Sequence, residues 1–229
     1  MFFFRSSIDQ IWFTNLRVQE VRALHRDLVA NPAPLGLYAF GFTTALLQGP
    51  NTQLVEGATL DFVFGWGMFF GGLAQLLAGM WEFKKQNTFG ATAFSSYGAF
   101  WMGLAIWGFL YAADLGTMLK GFQMALSLWG IFTFILMFAT LNINFCLFSL
   151  FLTLSVLFWV LAGGVGNTNV TKGGGVLGFI VAGIAWYIAT AELMNEVYGT
   201  VVMPLGRWKL GNKILGIKPA PPAPKAEEP

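Results

Sequence analysis

The sequence predicts an all-α membrane protein: six transmembrane helices behind an N-terminal amphipathic helix, with both termini cytosolic. Three observations predict it. Hydrophobic residues make up 56% of the chain and charged residues only 10%, with a mean hydropathy of +0.63; a soluble domain carries about 25% charged residues. Six apolar stretches each approach the roughly 17–25 residues needed to cross hydrocarbon. The basic residues are divided unequally between the two sides that six spans would create.

Taken in order, residues 6–28 read as the amphipathic helix. Ile11, Val18, Val21, Leu24 and Leu28 recur at helical steps among Asp9, Arg17, Glu20, Arg22, Arg26 and Asp27, and Trp12 and Phe13 add interfacial aromatics. This helix either packs on the core or a neighbouring subunit from the cytosol, or lies in the membrane interface. The spans follow at Pro32–Gln48, Leu60–Phe83, Gly90–Ala113, Lys120–Leu141, Phe145–Val165 and Gly173–Leu193. Turn chemistry separates them at 48–51, 84–87, 114–116, 142–144 and 166–169. The chain thus divides into an N-terminal helix over 1–30, a transmembrane domain over 31–206 and a cytosolic tail over 207–229. The tail is expected to be largely disordered, because from Lys218 it is rich in Pro, Ala and charge. With six spans, eleven basic residues fall on the side of the termini, and only Lys120 and Lys172 on the other. That bias places the termini in the cytosol.

The residue types argue against an enzyme. The sole histidine, His25, sits on the polar N-terminal helix, and the sole cysteine, Cys146, in an apolar run. Gly173-Gly174-Gly175 lacks the Lys and Ser/Thr of a phosphate loop. No metal or cofactor site is expected, and a net charge of +2 is too small to argue for nucleic acid. The polar residues inside the spans say more, since burying them in lipid without partners is costly. Thr43, Thr44, Gln75, Thr92, Ser95, Ser96, Tyr97 and Gln123 are neutral, while Asp61, Glu82 and Glu192 fall near span ends. A path lined by such groups suits a small polar solute or a weak acid; interhelical hydrogen bonding is the structural alternative. Gly67/Gly71 and Gly174/Gly178 are small-xxx-small pairs that suit close helix packing.

The run Asn31-Pro32-Ala33-Pro34-Leu35-Gly36-Leu37-Tyr38-Ala39-Phe40 resembles the signature of the acetate uptake transporter family, which includes the succinate–acetate permeases. The likeness continues at 71–75, Asn87-Thr88-Phe89-Gly90, 92–94, Ser96-Tyr97-Gly98, 129–133 and 191–196, covering about residues 31–206. Locally, Asn31 is a natural N-cap and Pro32 suits the first helical position. A helix starting there presents its partial positive end at the cytosolic face.

The resemblance implies a membrane channel or permease for acetate and related small monocarboxylates. It also implies homo-hexamers of six-helix subunits, each with its own pathway. The implied constriction combines an aromatic of the first span, a Tyr of the third and a Leu of the fifth, matched here by Phe40, Tyr97 and Leu154. These three are spaced 57 residues apart on odd-numbered spans, at a common depth of roughly 9–14 Å from the span starts. Tyr97 could donate a hydrogen bond to a passing acid. Proton coupling stays open, with Glu192 the acid to carry it or, alternatively, a partner for Lys84 or Lys85. Asn31, Pro32, Pro34, Thr43, Thr44, Gln75, Asn87, Thr92, Ser96, Gln123 and Glu192 are further pathway or motif candidates. The sequence departs from the family pattern at Tyr38-Ala39, which adds an aromatic near the constriction, and at Asn142-Ile143-Asn144, which lacks basic residues. An ammonia or small neutral solute pore, or a non-transporting membrane scaffold, are the alternatives. The plasma membrane is the expected site, with an organelle membrane as the other option.

Overall fold

Helix α1, Ala33–Thr52, is the central element of the bundle and packs most extensively on the last long helix. The computed structural model describes residues 29–111 and 115–216. The predicted amphipathic helix over 6–28 and the chain beyond 216 lie outside the described residues. Helix α1 starts one residue later than the sequence suggests: Pro32 takes the cap position, and Asn31 Oδ1 accepts from Ala33 N at 3.2 Å. It also ends later, because the predicted turn at 48–51 is helical. Proline in a helix removes one backbone hydrogen bond, but Thr52 Oγ1 donates to Gln48 O at 2.7 Å and Asn51 Nδ2 to Gln48 Oε1 at 3.0 Å. These side chains carry the last turn past Pro50, and the helix stops at Gln53, which adopts φ 60°.

Helix α2, Leu60–Lys84, contains a π-helical stretch over Gly67–Ala74. The wider turns bring Gly71 against Thr43 of α1, where an added Cβ would overlap the threonine side chain. Immediately after this stretch, Gln75 and Glu82 are seven residues apart and so lie on one face, with Ala78 buried between them. Helices α3 (Thr88–Tyr111), α4 (Leu115–Thr140), α5 (Phe145–Gly164) and α6 (Thr168–Val197) complete the bundle. Asparagines start three of these. Asn87 Oδ1 accepts from Gly90 N at 3.2 Å, Asn144 Oδ1 from Leu147 N at 2.8 Å, and Asn167 Oδ1 from Val170 N at 3.3 Å. Each satisfies a backbone donor that the first helical turn leaves free.

Among the described residues, five helices are long and apolar enough to cross a membrane: Leu60–Lys84, Thr88–Leu110, Met118–Thr140, Phe145–Gly164 and Thr168–Val197. Helix α1 is not among these five, and the reason is chemical: Thr43, Thr44 and Gln48 are polar, yet they are buried inside the bundle. The outer faces of α2, α4 and α6 expose Phe62, Phe69, Ile131, Ile135, Val176 and Ile180, a surface suited to lipid.

Past α6 the chain turns back. Asn195 holds this return, accepting from Val202 N at 2.7 Å and Met203 N at 2.9 Å and donating to Met203 O at 2.8 Å. Arg207 pairs through its backbone with Asn144, Trp208 Nε1 donates to Thr140 O at 3.3 Å, and a short helix α7, Leu210–Ile214, follows. Residues 207–216 of the expected tail are therefore folded onto the α4–α5 turn, and any unstructured tail must be shorter than 207–229. The Asn142-Ile143-Asn144 loop has a local role in this contact: Asn142 Oδ1 accepts from Asn212 N at 3.0 Å.

Candidate functional site

Two cavities run into the bundle from opposite ends and share a wall. The first, about 180 Å³, lies at the N-terminal end of α1 and carries Asn31, Gln75, Glu82, Asn87, Asn144 and Glu192. The second, about 400 Å³, lies toward the C-terminal end of α1, with Phe64, Phe100, Trp101, Trp107, Phe122 and Phe158 as its walls and Gln48, Asn51 and Thr171 at its polar end. Among the described residues, only three line both: Phe40, Tyr97 and Leu154. They come from α1, α3 and α5, eight to ten residues into each helix, and each is at most 6% exposed. The Phe40 and Tyr97 ring centroids are 5.9 Å apart.

Tyr97 is fixed from behind. Its ring meets Trp129 at 5.8 Å, Phe132 at 6.0 Å and Phe151 at 6.2 Å, and its hydroxyl lies 2.8 Å from Thr133 Oγ1. The Thr133 hydroxyl donates to Trp129 O at 2.7 Å. A threonine has a single O–H, so Thr133 must accept the tyrosine proton. The hydrogen bond that Tyr97 was expected to offer a passing acid is thus already made to α4. What the residue turns toward the two cavities is its ring.

The polar candidates separate. Asn31, Gln75, Asn87 and Glu192 gather in the first cavity and Thr44 lines the second. Asn31 Nδ2 donates to Glu192 Oε2 at 3.2 Å, so the span-end acid meets an amide from the opening motif. Pro32 and Pro34 are buried at the start of α1 and serve its geometry. Thr43 lines neither cavity; its hydroxyl donates to Ala39 O at 2.9 Å and its side chain abuts Gly71. Thr92 and Ser96 are half-buried and Gln123 is exposed, and none of the three lines either cavity. Tyr38 lines neither as well. Its hydroxyl sits 2.7 Å from Thr190 Oγ1 and pins α1 to α6, so the extra aromatic does not narrow the pathway.

Three site features were missed in the sequence. Glu82 was read only as a span-end acid, although it is 1% exposed and lines the first cavity. Its seven-residue spacing from Gln75 was the available signal. Gln48 was hidden by the Gly-Pro beside it, which reads as a turn. Trp101 gave no sequence signal: its buried Nε1 has no hydrogen-bond partner, and the residue lines the second cavity.

Residues 14–207 match the model of the GPR1/FUN34/yaaH family. The chain is 42% identical over 185 residues to the succinate-acetate/proton symporter SatP of Escherichia coli K12, covering 78% of this chain and 96% of that protein. It is 38% identical to acetate permease A of Emericella nidulans (78% and 66% covered) and 43% identical to ammonia transport outward protein 2 of Saccharomyces cerevisiae (73% and 62%). The solved structure of the bacterial acetate channel SatP superposes with a TM-score of 0.71 at 41% identity, covering 78% of this chain and 99% of that one. These relatives are named as transporters or channels, not as enzymes, and with five apolar helices they make this a multi-pass integral membrane protein. Matched over its whole bundle, the chain belongs to the GPR1/FUN34/yaaH family.

Proposed function

We propose that this chain conducts acetate and related small monocarboxylates across a membrane, through its own bundle, with Phe40, Tyr97 and Leu154 as the constriction. The observation that carries the reading is that these three alone line both cavities. Relatives named for acetate transport support the substrate class. An apolar ring favours a solute that sheds little water: moving a carboxylate out of water is costly, whereas the neutral acid carries no charge. A dicarboxylate should pass poorly.

In this reading α1 is the sixth span, its 20 residues extending about 30 Å. The bias of basic residues supports cytosolic termini, so the first cavity opens to the cytosol. The plasma membrane and a homo-hexameric assembly belong to the same proposal.

The test is labelled-acetate uptake into liposomes holding the purified oligomer, across a pH gradient, with succinate and methylamine as competitors. Saturable uptake blocked by small monocarboxylates is expected. Uptake blocked by methylamine alone would favour the second reading, an ammonia pore, which the name of the Saccharomyces cerevisiae relative supports. No uptake above empty liposomes would leave a scaffold.

A further inference from the structure

The first cavity contains two buried oxygens without a hydrogen-bond partner, Gln75 Oε1 and Glu82 Oε1, on residues each 1% exposed. An amide oxygen and a carboxylate oxygen are acceptors only. Leaving a buried acceptor unpaired is costly, so such a site awaits a donor. A carboxylic acid is one; its anion is not. The deeper acceptor, Gln75, lies about 10.5 Å along the helix from Glu82, taking 1.5 Å per residue over seven residues.

We infer that Glu82 is the proton-exchange group of this pathway, passing a proton to and from the carboxylate of the solute in the first cavity. The inference rests on the acetate reading above. In one direction, protonated Glu82 gives its proton to a carboxylate oxygen of the anion, the resulting neutral acid enters the ring of Phe40, Tyr97 and Leu154, and the ionised Glu82 takes a proton back from water at the mouth. In the other, the acid emerging from the ring gives its proton to ionised Glu82 and leaves as the anion, and Glu82 returns the proton to water at the mouth.

The surroundings serve both forms. The ionised form has the Asn87 amide, whose Nδ2 donates to Glu82 Oε2 at 2.8 Å. The charged groups acting on Glu82 are Lys85 from its own turn and Glu192 from α6. The protonated form has its free oxygen in the cavity. Glu192 is less enclosed, and its Oε2 already accepts from Asn31 Nδ2. Gly90 is part of the same construction, since a Cβ there would run into the Glu82 carboxyl and Asn87.

The test pairs Glu82→Gln with Glu82→Asp in the full-length protein in liposomes, measuring labelled acetate and internal pH together. Glu82→Gln can still accept from Asn87, so the fold should survive, as thermal melting and the oligomer's elution will show. The expected result is that acetate-linked proton movement falls on the order of a hundredfold in Glu82→Gln and is largely restored in Glu82→Asp, which keeps a titratable carboxyl. Infrared difference spectra on adding acetate should show a carboxylic-acid band in the parent that is missing from Glu82→Gln. Parental proton movement in Glu82→Gln would overturn the inference, as would equal losses in both variants with the band unchanged. If the parent itself takes up no acetate, it is the acetate reading that fails.

Discussion

The two cavities meet at the same three side chains but differ in chemistry. The first presents two carboxylates and four amides, and its orphaned polar atoms are acceptors. The second is walled by tryptophan and phenylalanine, and its orphaned polar atom is a donor, the Trp101 indole N–H. A carboxylic acid can satisfy the acceptors; a carboxylate can satisfy the donor. Apart from Tyr97, whose proton is held by Thr133, the described lining of the second cavity has no group that titrates. Under the proposed function, proton exchange therefore belongs to the first cavity.

Within the wall and the second cavity, the largest effect should come from removing the wall. The double variant Phe40→Ala/Leu154→Ala joins the cavities, and acetate flux is expected to rise on the order of tenfold, equal to about 1.4 kcal/mol off the passage barrier. Succinate should begin to pass. Each truncation of a buried large side chain costs about 2–5 kcal/mol of stability, here toward the low end because both residues already border open space. Flux and selectivity like the parent's, in a variant that assembles normally, would show that the wall is not the gate.

Next in size is the donor of the second cavity. Trp101→Phe keeps an aromatic ring and deletes the unpaired N–H. Hydrogen bonds to charged groups contribute about 1.5–3 kcal/mol; at the lower end of that range KM for acetate should rise about tenfold. Stability should hold or improve, because an unsatisfied buried donor is being removed. A normal KM would mean that Trp101 Nε1 does not meet the solute.

Thr133→Val strips Tyr97 of its acceptor from behind the wall. Leaving the phenol O–H unpaired in the core should cost about 1–3 kcal/mol, read as a lower melting temperature. The freed hydroxyl then has only the pathway to turn to, so acetate should be retained longer and flux fall severalfold. Tyr97→Phe separates the two effects, since it loses the same hydrogen bond but frees no hydroxyl. Slower flux in Thr133→Val alone would assign the change to the released O–H.

How far this comparison was legible in the sequence depends on the kind of signal. Five spans were legible because apolar length is a local property, and the Asn87, Asn144 and Asn167 helix starts because capping is local too. The equal spacing of Phe40, Tyr97 and Leu154 on odd-numbered spans put them at one depth, though it could not say that they face one another. What escaped were features fixed by rotation about a helix axis. The π-helical turns over Gly67–Ala74 rephase α2 and decide where Gln75 and Glu82 point, and a regular 3.6-residue count does not foresee them. Thr43, Thr92, Ser96 and Gln123 meet the same limit: their polar character was legible in the sequence, whether they face a cavity was not, and none of the four lines either one. The ordered return over 207–216 was missed because its contacts are to Asn142 and Thr140, about 70 residues away in the chain.

The smallest expected effect belongs to Gln123. It is a polar residue in the middle of a span and therefore looked like part of a path, yet it is exposed on α4 and lines neither cavity. Its own O–H···O neighbour, Ser127, bonds only to its backbone carbonyl at 2.9 Å, so deleting the side chain leaves no buried partner stranded. Gln123→Ala should shift stability by no more than about 0.5 kcal/mol and leave acetate uptake where it was. The informative outcome is the opposite one. A large loss of uptake with an unchanged melting temperature could not come from either cavity. It would have to come from the outer face of α4, and an accompanying shift in elution volume would place Gln123 at a contact between copies of the chain.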